Sequence, residues 1–175
     1  IKKEGNPFNS EGKFCIKKDV LLLDYIGDSC KFYNFIRAND VIQEHVLYST
    51  IKQVLLAISI AKDKINFTHY DLHSNNIMMK KCNKNIVFLY SFDNENQFAV
   101  PTYGYYPIII DFGFSYSNAL ENGPLWPSLG HTEIGFTSYT HDPFADPKLF
   151  LVTVSTEIKN KRGSKSSKKL RRVVR

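Results

Sequence analysis

Two short runs hold the residues of this chain that could do chemistry. The first, 67–78, reads Phe-Thr-His-Tyr-Asp-Leu-His-Ser-Asn-Asn-Ile-Met and sets His69, Asp71, His73 and Asn76 within eight positions. The second, 106–114, reads Tyr-Pro-Ile-Ile-Ile-Asp-Phe-Gly-Phe and runs an apolar stretch straight into Asp111. A loop carboxylate such as Asp71 can accept a proton from a hydroxyl held against it. The side-chain oxygens of Asn76 and Asp111 are the donor type that a hard divalent cation prefers. The bland alternatives are a solvated loop acid and an ordinary Asp-x-Gly turn. Context decides between them.

The elements that must position these residues can be read from periodicity. In 43–64, Leu47, Ile51, Val54, Leu55, Ile58 and Ala61 recur at three and four, which predicts a long helix with one buried face. Asn39 or Asp40 is expected to cap it. Upstream, 20–26 reads as a buried strand closing at Gly27, and 29–37 as a short helix with Phe32, Phe35 and Ile36 inward. Residues 86–92 and 97–101 predict a hairpin turned at 93–96, and 108–110 a strand delivering Asp111. Asp146-Pro147 is a helix start, with Asp at the N-cap and Pro at the first helical position. There are no internal repeats.

His-x-Asp-Leu-x-x-x-Asn at 69–76 followed by strand and Asp-Phe-Gly at 111–113 resembles the catalytic loop and metal-binding motif of the protein kinase superfamily. The resemblance implies an α+β fold: a kinase-like C-lobe, mainly helical, with a β-hairpin region around the active site and the N-lobe largely missing. It implies ATP and Mg²⁺ as nucleotide and metal, with Asp71 as the base that meets the acceptor hydroxyl and Asn76 and Asp111 as metal ligands. His73 stands where Ser/Thr kinases carry a phosphate-contacting Lys, so it joins Asp71 as a candidate catalytic residue. Leu23 falls at the gatekeeper place, and 24–26 become the hinge, with Asp24 and Ile26 holding the adenine through their backbone. His69 becomes structural, packed on Phe112. The first Asp of the central C-lobe helix, Asp146 or alternatively Asp142, is expected to hold the catalytic-loop backbone.

The same resemblance divides the chain. Residues 1–19 are an N-lobe remnant or linker, 20–157 the hinge and C-lobe, and 158–175 a basic tail. Within the lobe lie the loop at 69–76, an inserted hairpin at 80–107, Asp-Phe-Gly, and an activation segment at 114–141. Several kinase parts have no counterpart. The nine glycines never form Gly-x-Gly-x-x-Gly, there is no Val-Ala-x-Lys strand before residue 20, and Gly130-His131-Thr132-Glu133 is at best a degenerate Ala-Pro-Glu. Tyr70 replaces the usual Arg, which argues against ordering by a phosphorylated loop. Asp-Leu-His is commoner in small-molecule kinases of the choline and aminoglycoside type. Phe112-Gly113 favours protein kinases, and the two runs together resemble divergent kinase-like proteins of large DNA viruses. The expected activity is therefore ATP-dependent phosphoryl transfer to protein Ser/Thr. A small-molecule hydroxyl kinase and a non-catalytic pseudokinase module are the alternatives. An upstream segment is expected because the chain begins with Ile1, and the 175 residues alone are expected to transfer poorly or not at all.

Composition bounds the rest. At 43% apolar residues, with 13 Phe and 10 Tyr, the chain is globular rather than disordered. Cys15, Cys30 and Cys82 are three in number and widely spaced, forming neither a disulfide framework nor a Cys-x-x-Cys site. A reducing intracellular setting, host cytoplasm or virion, is expected. No apolar run approaches the ~18 residues of a membrane span. The net charge of +6 is a local matter: nine Lys and Arg and no acid fall in 159–175, leaving 14 basic against 17 acidic residues elsewhere. That tail is expected to be solvated, or else to meet nucleic acid or an anionic surface through phosphate contacts. Ser164, Ser166 and Ser167 within it are candidate phosphorylation sites. His45, His131 and His141 lack partners at ligand spacing, and Trp126 reads as packing.

Overall fold

The structure is a computed structural model, and it describes residues 22–38, 43–119 and 141–160. The elements in chain order are β1 (Ser29–Lys31), α1 (Phe32–Ala38), α2 (Glu44–Ile65), a 3₁₀ turn (Ser74–Asn76), β2 (Ile77–Lys81), β3 (Val87–Ser91), β4 (Gln97–Pro101), β5 (Tyr105–Ile109) and α3 (Ala145–Asn160). The described residues form an α+β arrangement of three helices and two small antiparallel sheets, ordered β1-β2-β5 and β3-β4.

The long helix α2 forms where the periodicity puts it. Leu47, Ile51, Val54 and Ile58 are buried along one stripe, and Leu55 packs at its margin. Asn39 and Asp40 lie outside the described residues. The N-cap position belongs to Gln43, whose side chain makes no capping bond. At the other end Asn66 adopts the left-handed conformation, φ 46°, which Asn tolerates better than most residues. Its N–H donates to Lys62 and that of Phe67 to Ala61, closing the last carbonyls. Lys62 and Lys64 sit in this last turn, where cations complement the helix dipole.

The core lies where α1, α2, α3 and β2 meet. Phe32 and Ile36 of α1 are fully buried, with Phe32 6.4 Å from the Phe150 ring of α3. Phe150, Val154 and Ile158 continue one stripe along α3, which runs to Asn160. The boundary expected between lobe and tail therefore falls inside its last turn, and 161–175 lie outside the described residues. Ile77 and Met79 of β2 face the same core.

One element expected from the sequence is not formed. Residues 22–27 are irregular, and Leu22, Leu23 and Tyr25 are 78–93% exposed; the first strand among the described residues is β1. A strand needs a neighbour for its N–H and C=O groups. Among the described residues no strand pairs with 22–27, so the apolar run alone does not make one. β1 also takes the first three residues of the segment read as a short helix, which begins at Phe32.

The β3-β4 hairpin lies against α2 through a polar relay. Tyr90 Oη donates to Gln53 Oε1 at 3.2 Å, Gln53 Nε2 to Ser49 Oγ at 2.9 Å, and Ser49 Oγ to the carbonyl of Pro101. The buried Gln53 is thereby satisfied at both ends, which removes most of the cost of burying it. Its turn is built on Asp93, whose Oδ1 accepts the N–H groups of Glu95 and Asn96 while Oδ2 accepts Asn96 Nδ2. These bonds, that of the Asn96 side chain foremost, hold the Asp93 carboxyl below its ordinary value. Its contribution to stability is therefore present above the ordinary carboxylate range and lost as pH falls through the lowered value. Asp93→Ala is expected to raise amide exchange at Glu95 and Asn96 with little change elsewhere. Unchanged exchange there at neutral pH would show that the turn does not depend on Asp93.

Candidate active site

The ends of the first run are held by elements that the sequence places far from them, and its middle by bonds within the run. His69 is completely buried. Its Nδ1 accepts the N–H of Asp71 at 3.3 Å and its Nε2 lies 3.0 Å from the carbonyl of Ile110, so the two contacts together place the ring proton on Nε2. The ring packs 5.3 Å from Phe112 and 6.4 Å from Phe67. His69 thus ties the 69–76 loop to the end of the strand that delivers Asp111.

The loop backbone hangs on α3. Asp146 Oδ2 accepts the N–H of His69 at 2.7 Å, and Oδ1 accepts that of Tyr70 at 2.9 Å. Tyr70 has φ 64°, a left-handed turn that aims the two successive N–H groups at one carboxylate. Of the two candidates for this task, Asp146 performs it. Asp142 serves its own segment, accepting the N–H of Phe144 through Oδ1. Burial pushes the Asp146 carboxyl up, and the N–H groups of His69 and Tyr70 pull it partly back. Helix α3 begins at Ala145, one residue before the expected cap, so Asp146 lies within its first turn.

Asp71 and Asn76 meet directly. Asn76 Nδ2 donates to Asp71 Oδ2 at 2.8 Å and to the Asp71 carbonyl at 3.0 Å. The other carboxylate oxygen, Oδ1, lies 3.4 Å from His73 Nε2, and both side chains are about one-third exposed. The Nδ1 atom of His73 accepts the N–H of Asn75 at 3.2 Å, which leaves the ring proton on the Nε2 that faces Asp71. Asn76 turns its NH₂ group to Asp71, so Oδ1 is the atom left to meet a cation among the described residues.

Asp111 arrives on the neighbouring strand. β2 and β5 pair antiparallel with Ile77 opposite Ile109, and Ile110 N–H donates to the Asn76 carbonyl at 3.0 Å. Asp111 follows immediately, exposed, with φ 65°. That conformation is uncommon outside Gly, Asn and Asp, and it breaks the strand at the point where the side chain must leave the sheet. Beyond it, Thr68 and Tyr116 exchange backbone hydrogen bonds of 3.0 and 2.8 Å. Asp-Phe-Gly is therefore pinned on both sides by partners adjoining the 69–76 loop.

Asn76 and Asp111 offer an amide and a carboxylate oxygen at one end of the sheet. Among the described residues no three His, Cys, Asp or Glu side chains gather as a metal cage. Two oxygen donors suit Mg²⁺, which keeps several waters and takes phosphate oxygens as further ligands. Asp24 and Ile26 precede β1. Ser29 pairs with Lys80, so the chain enters β1 at the far end of β2 from Asn76. Asp24 is exposed, and the Ile26 carbonyl accepts Ser29 Oγ at 2.7 Å. Most of the expected activation segment, with Trp126, Gly130 and His131, lies outside the described residues.

Sequence reading missed Ser74 and Glu157. Ser74 Oγ donates to Glu157 Oε1 of α3, across 83 residues of sequence. The available signal was helical phase: Glu157 stands eleven residues, or three turns, after Asp146 and so on the same face of α3.

No family model matches this chain. It is 42% identical over 112 residues to the uncharacterized protein 098R of Invertebrate iridescent virus 6, covering 63% of this chain and 19% of that protein. It is 32% identical over 152 residues to the uncharacterized protein 038R of Invertebrate iridescent virus 3, covering 82% of this chain and 26% of that one. A third match, 39% identical over 71 residues, is to a protein of Invertebrate iridescent virus 3 named "Probable kinase 098L", covering 36% of this chain and 11% of that protein. The chain thus spans about a quarter or less of the length of these relatives. Part of it is similar to a viral protein named a kinase. Among the described residues no helix is long and apolar enough to cross a membrane.

Proposed function

We propose that this chain supplies the catalytic floor of an ATP-dependent phosphotransferase acting on a hydroxyl, with protein Ser/Thr the favoured acceptor. The observation that carries it is the joining of Asp71 to Asn76 at 2.8 Å, with Asp111 delivered beside them by the β2-β5 register. Partial similarity to a protein named a probable kinase agrees with it. When bound, Mg–ATP would supply the phosphoryl group and neutralise its charge, held through Asn76 Oδ1 and the Asp111 carboxylate. Asp71 orients the acceptor hydroxyl and takes its proton. Asn76 fixes the rotamer of that carboxylate, and His73 donates toward Oδ1, the oxygen that Asn76 leaves open. Positioning and charge stabilisation supply nearly all of the catalysis in such transfers. The Asp-Leu-His run at 71–73 favours a small-molecule hydroxyl as the second reading.

Calorimetric titration of Mg–ATP into the complete protein tests the metal assignment. Asp111→Ala is expected to weaken magnesium-dependent binding by more than about tenfold, or ~1.4 kcal/mol. Equal affinity with equal magnesium dependence would remove Asp111 from the site.

A further inference from the structure

The loop that carries Asp71 and Asn76 is bound to α3 at two points, and the second has no role in the reading above. The first point is Asp146 under the His69 and Tyr70 N–H groups. The second is Glu157, three turns further along the same face, which accepts the Ser74 hydroxyl. Ser74 opens the 3₁₀ turn that ends at Asn76, and the turn is closed by Asn76 N–H on the His73 carbonyl at 2.9 Å. Ser74 is completely buried, so its hydroxyl must find an acceptor within the protein. Between the two anchors lie Asp71, Leu72 and His73, with Leu72 fully buried in the core as a third, apolar pin.

We propose that Glu157 is a positioning residue of the proposed phosphotransferase: by holding Ser74 it sets the 3₁₀ turn, and so the reach of Asn76 to Asp71. The proposal rests on the phosphotransferase reading for its kinetic consequence and on geometry alone for the anchoring. Without the anchor the turn keeps its internal bond, the Asn75 N–H on His73 Nδ1 and the Ile110 N–H on the Asn76 carbonyl, but nothing ties it to α3, and Asn76 loses precision toward both the Asp71 carboxylate and the cation site. Ser–carboxylate bonds are among the stronger hydrogen bonds because one partner is ionised.

The surroundings of Glu157 fit this task. Its Oε2 is buried and has no hydrogen-bond partner among the described residues. Burial pushes its carboxyl up, while the Ser74 hydrogen bond, then His73 of the loop and Arg37 of α1, draw it down. A carboxyl raised in the folded state contributes stability at low pH that is lost as pH rises through the folded value. Retaining an ionisable group here is thus a cost at neutral pH. Glu157→Gln, which keeps an acceptor oxygen, is expected to hold or gain thermal stability at neutral pH and so serves as the variant that folds.

The experiment combines amide hydrogen exchange with steady-state kinetics on the complete protein, using Mg–ATP and the acceptor that wild type labels. Ser74→Ala, Glu157→Ala and their double variant are compared with Glu157→Gln. Each single variant is expected to speed exchange of the Asn75 and Asn76 amides about tenfold, the worth of one hydrogen bond to a charged group. kcat is expected to fall by a similar factor with little change in KM for the nucleotide, the double variant to lose no more than either single one, and Glu157→Gln to retain most of the rate. Unchanged exchange at 75–76, or additive losses in the double variant, would overturn the anchor even in an active kinase. Faster exchange with an unaltered kcat would overturn its positioning role. Faster exchange in a protein whose wild type transfers no phosphate would leave the anchor standing and remove the phosphotransferase reading instead.

Discussion

Asp71→Asn is expected to lower phosphoryl transfer by about 10²–10⁴-fold, the usual contribution of a positioned general base, while Mg–ATP affinity changes little. The substitution keeps the shape of the side chain and removes the proton acceptor. Its local geometry adds a second loss. Asp71 now faces two donors, Asn76 Nδ2 on Oδ2 and His73 Nε2 near Oδ1. An amide at position 71 can face only one of them with oxygen and must turn its NH₂ toward the other. The carboxylate is about one-third exposed, so the misfit is partly relieved by water and folding should survive. The measurement is single-turnover transfer from labelled Mg–ATP, with a Ser/Thr protein substrate and an amino-alcohol panel offered in parallel. Transfer at the wild-type rate would mean that another group takes the proton. The acceptor that becomes labelled separates a protein kinase from a small-molecule kinase.

How much of this could be read beforehand depends on the range of the interaction. The helix expected at 43–64 forms at Glu44–Ile65, because its apolar stripe is a local pattern that any core on that side would bury. The hairpin expected at 86–101 forms with its turn at 93–96, because Asp93 makes its bonds within three residues. Over 22–26, the described part of the strand expected at 20–26, no strand forms, since strand formation depends on a neighbour that the run itself cannot specify. Asp146 and Asp142 could not be separated by spacing alone. Only the packing of α3 shows that the carboxylate of Asp146 is the one under His69 and Tyr70. Glu157 escaped for the same reason: its partner Ser74 lies 83 residues away, and a Glu late in a helix looks like any solvated charge until the helix is docked. The roles of Asp24 and Ile26 were tied to a strand that is not formed over 22–26, and the β1 register starts at Ser29, opposite Lys80.

The largest loss of stability is expected from Asp146→Ala. Asp146 is 4% exposed and is the acceptor for two buried backbone N–H groups. Removing it leaves both donors without a partner, at about 1–3 kcal/mol each. The total of about 2–6 kcal/mol is a large share of a domain stability on the order of 5–15 kcal/mol. The loss is offset in part because the carboxyl was itself costly to bury, which is why its pKa is raised. The sign of that shift sets the pH dependence. A raised carboxyl contributes most below the ordinary value of about 4, and its contribution declines as pH climbs through the folded value. The gap between wild type and Asp146→Ala should therefore be widest below about pH 4, narrow as pH climbs through the folded value and then level off. Asp146→Asn should fall between them, since its amide accepts from one N–H and confronts the other with a donor. Asp142→Ala is the control. It removes only the acceptor for Phe144 N–H, at the exposed start of the segment, and should cost about 1 kcal/mol or less. Urea unfolding at several pH values, read alongside exchange of the His69 and Tyr70 amides, separates the two. If Asp142→Ala proved the more damaging, or if the amides at 69 and 70 stayed protected in Asp146→Ala, the loop would owe its place to its own packing around Leu72 and not to the helix beneath it.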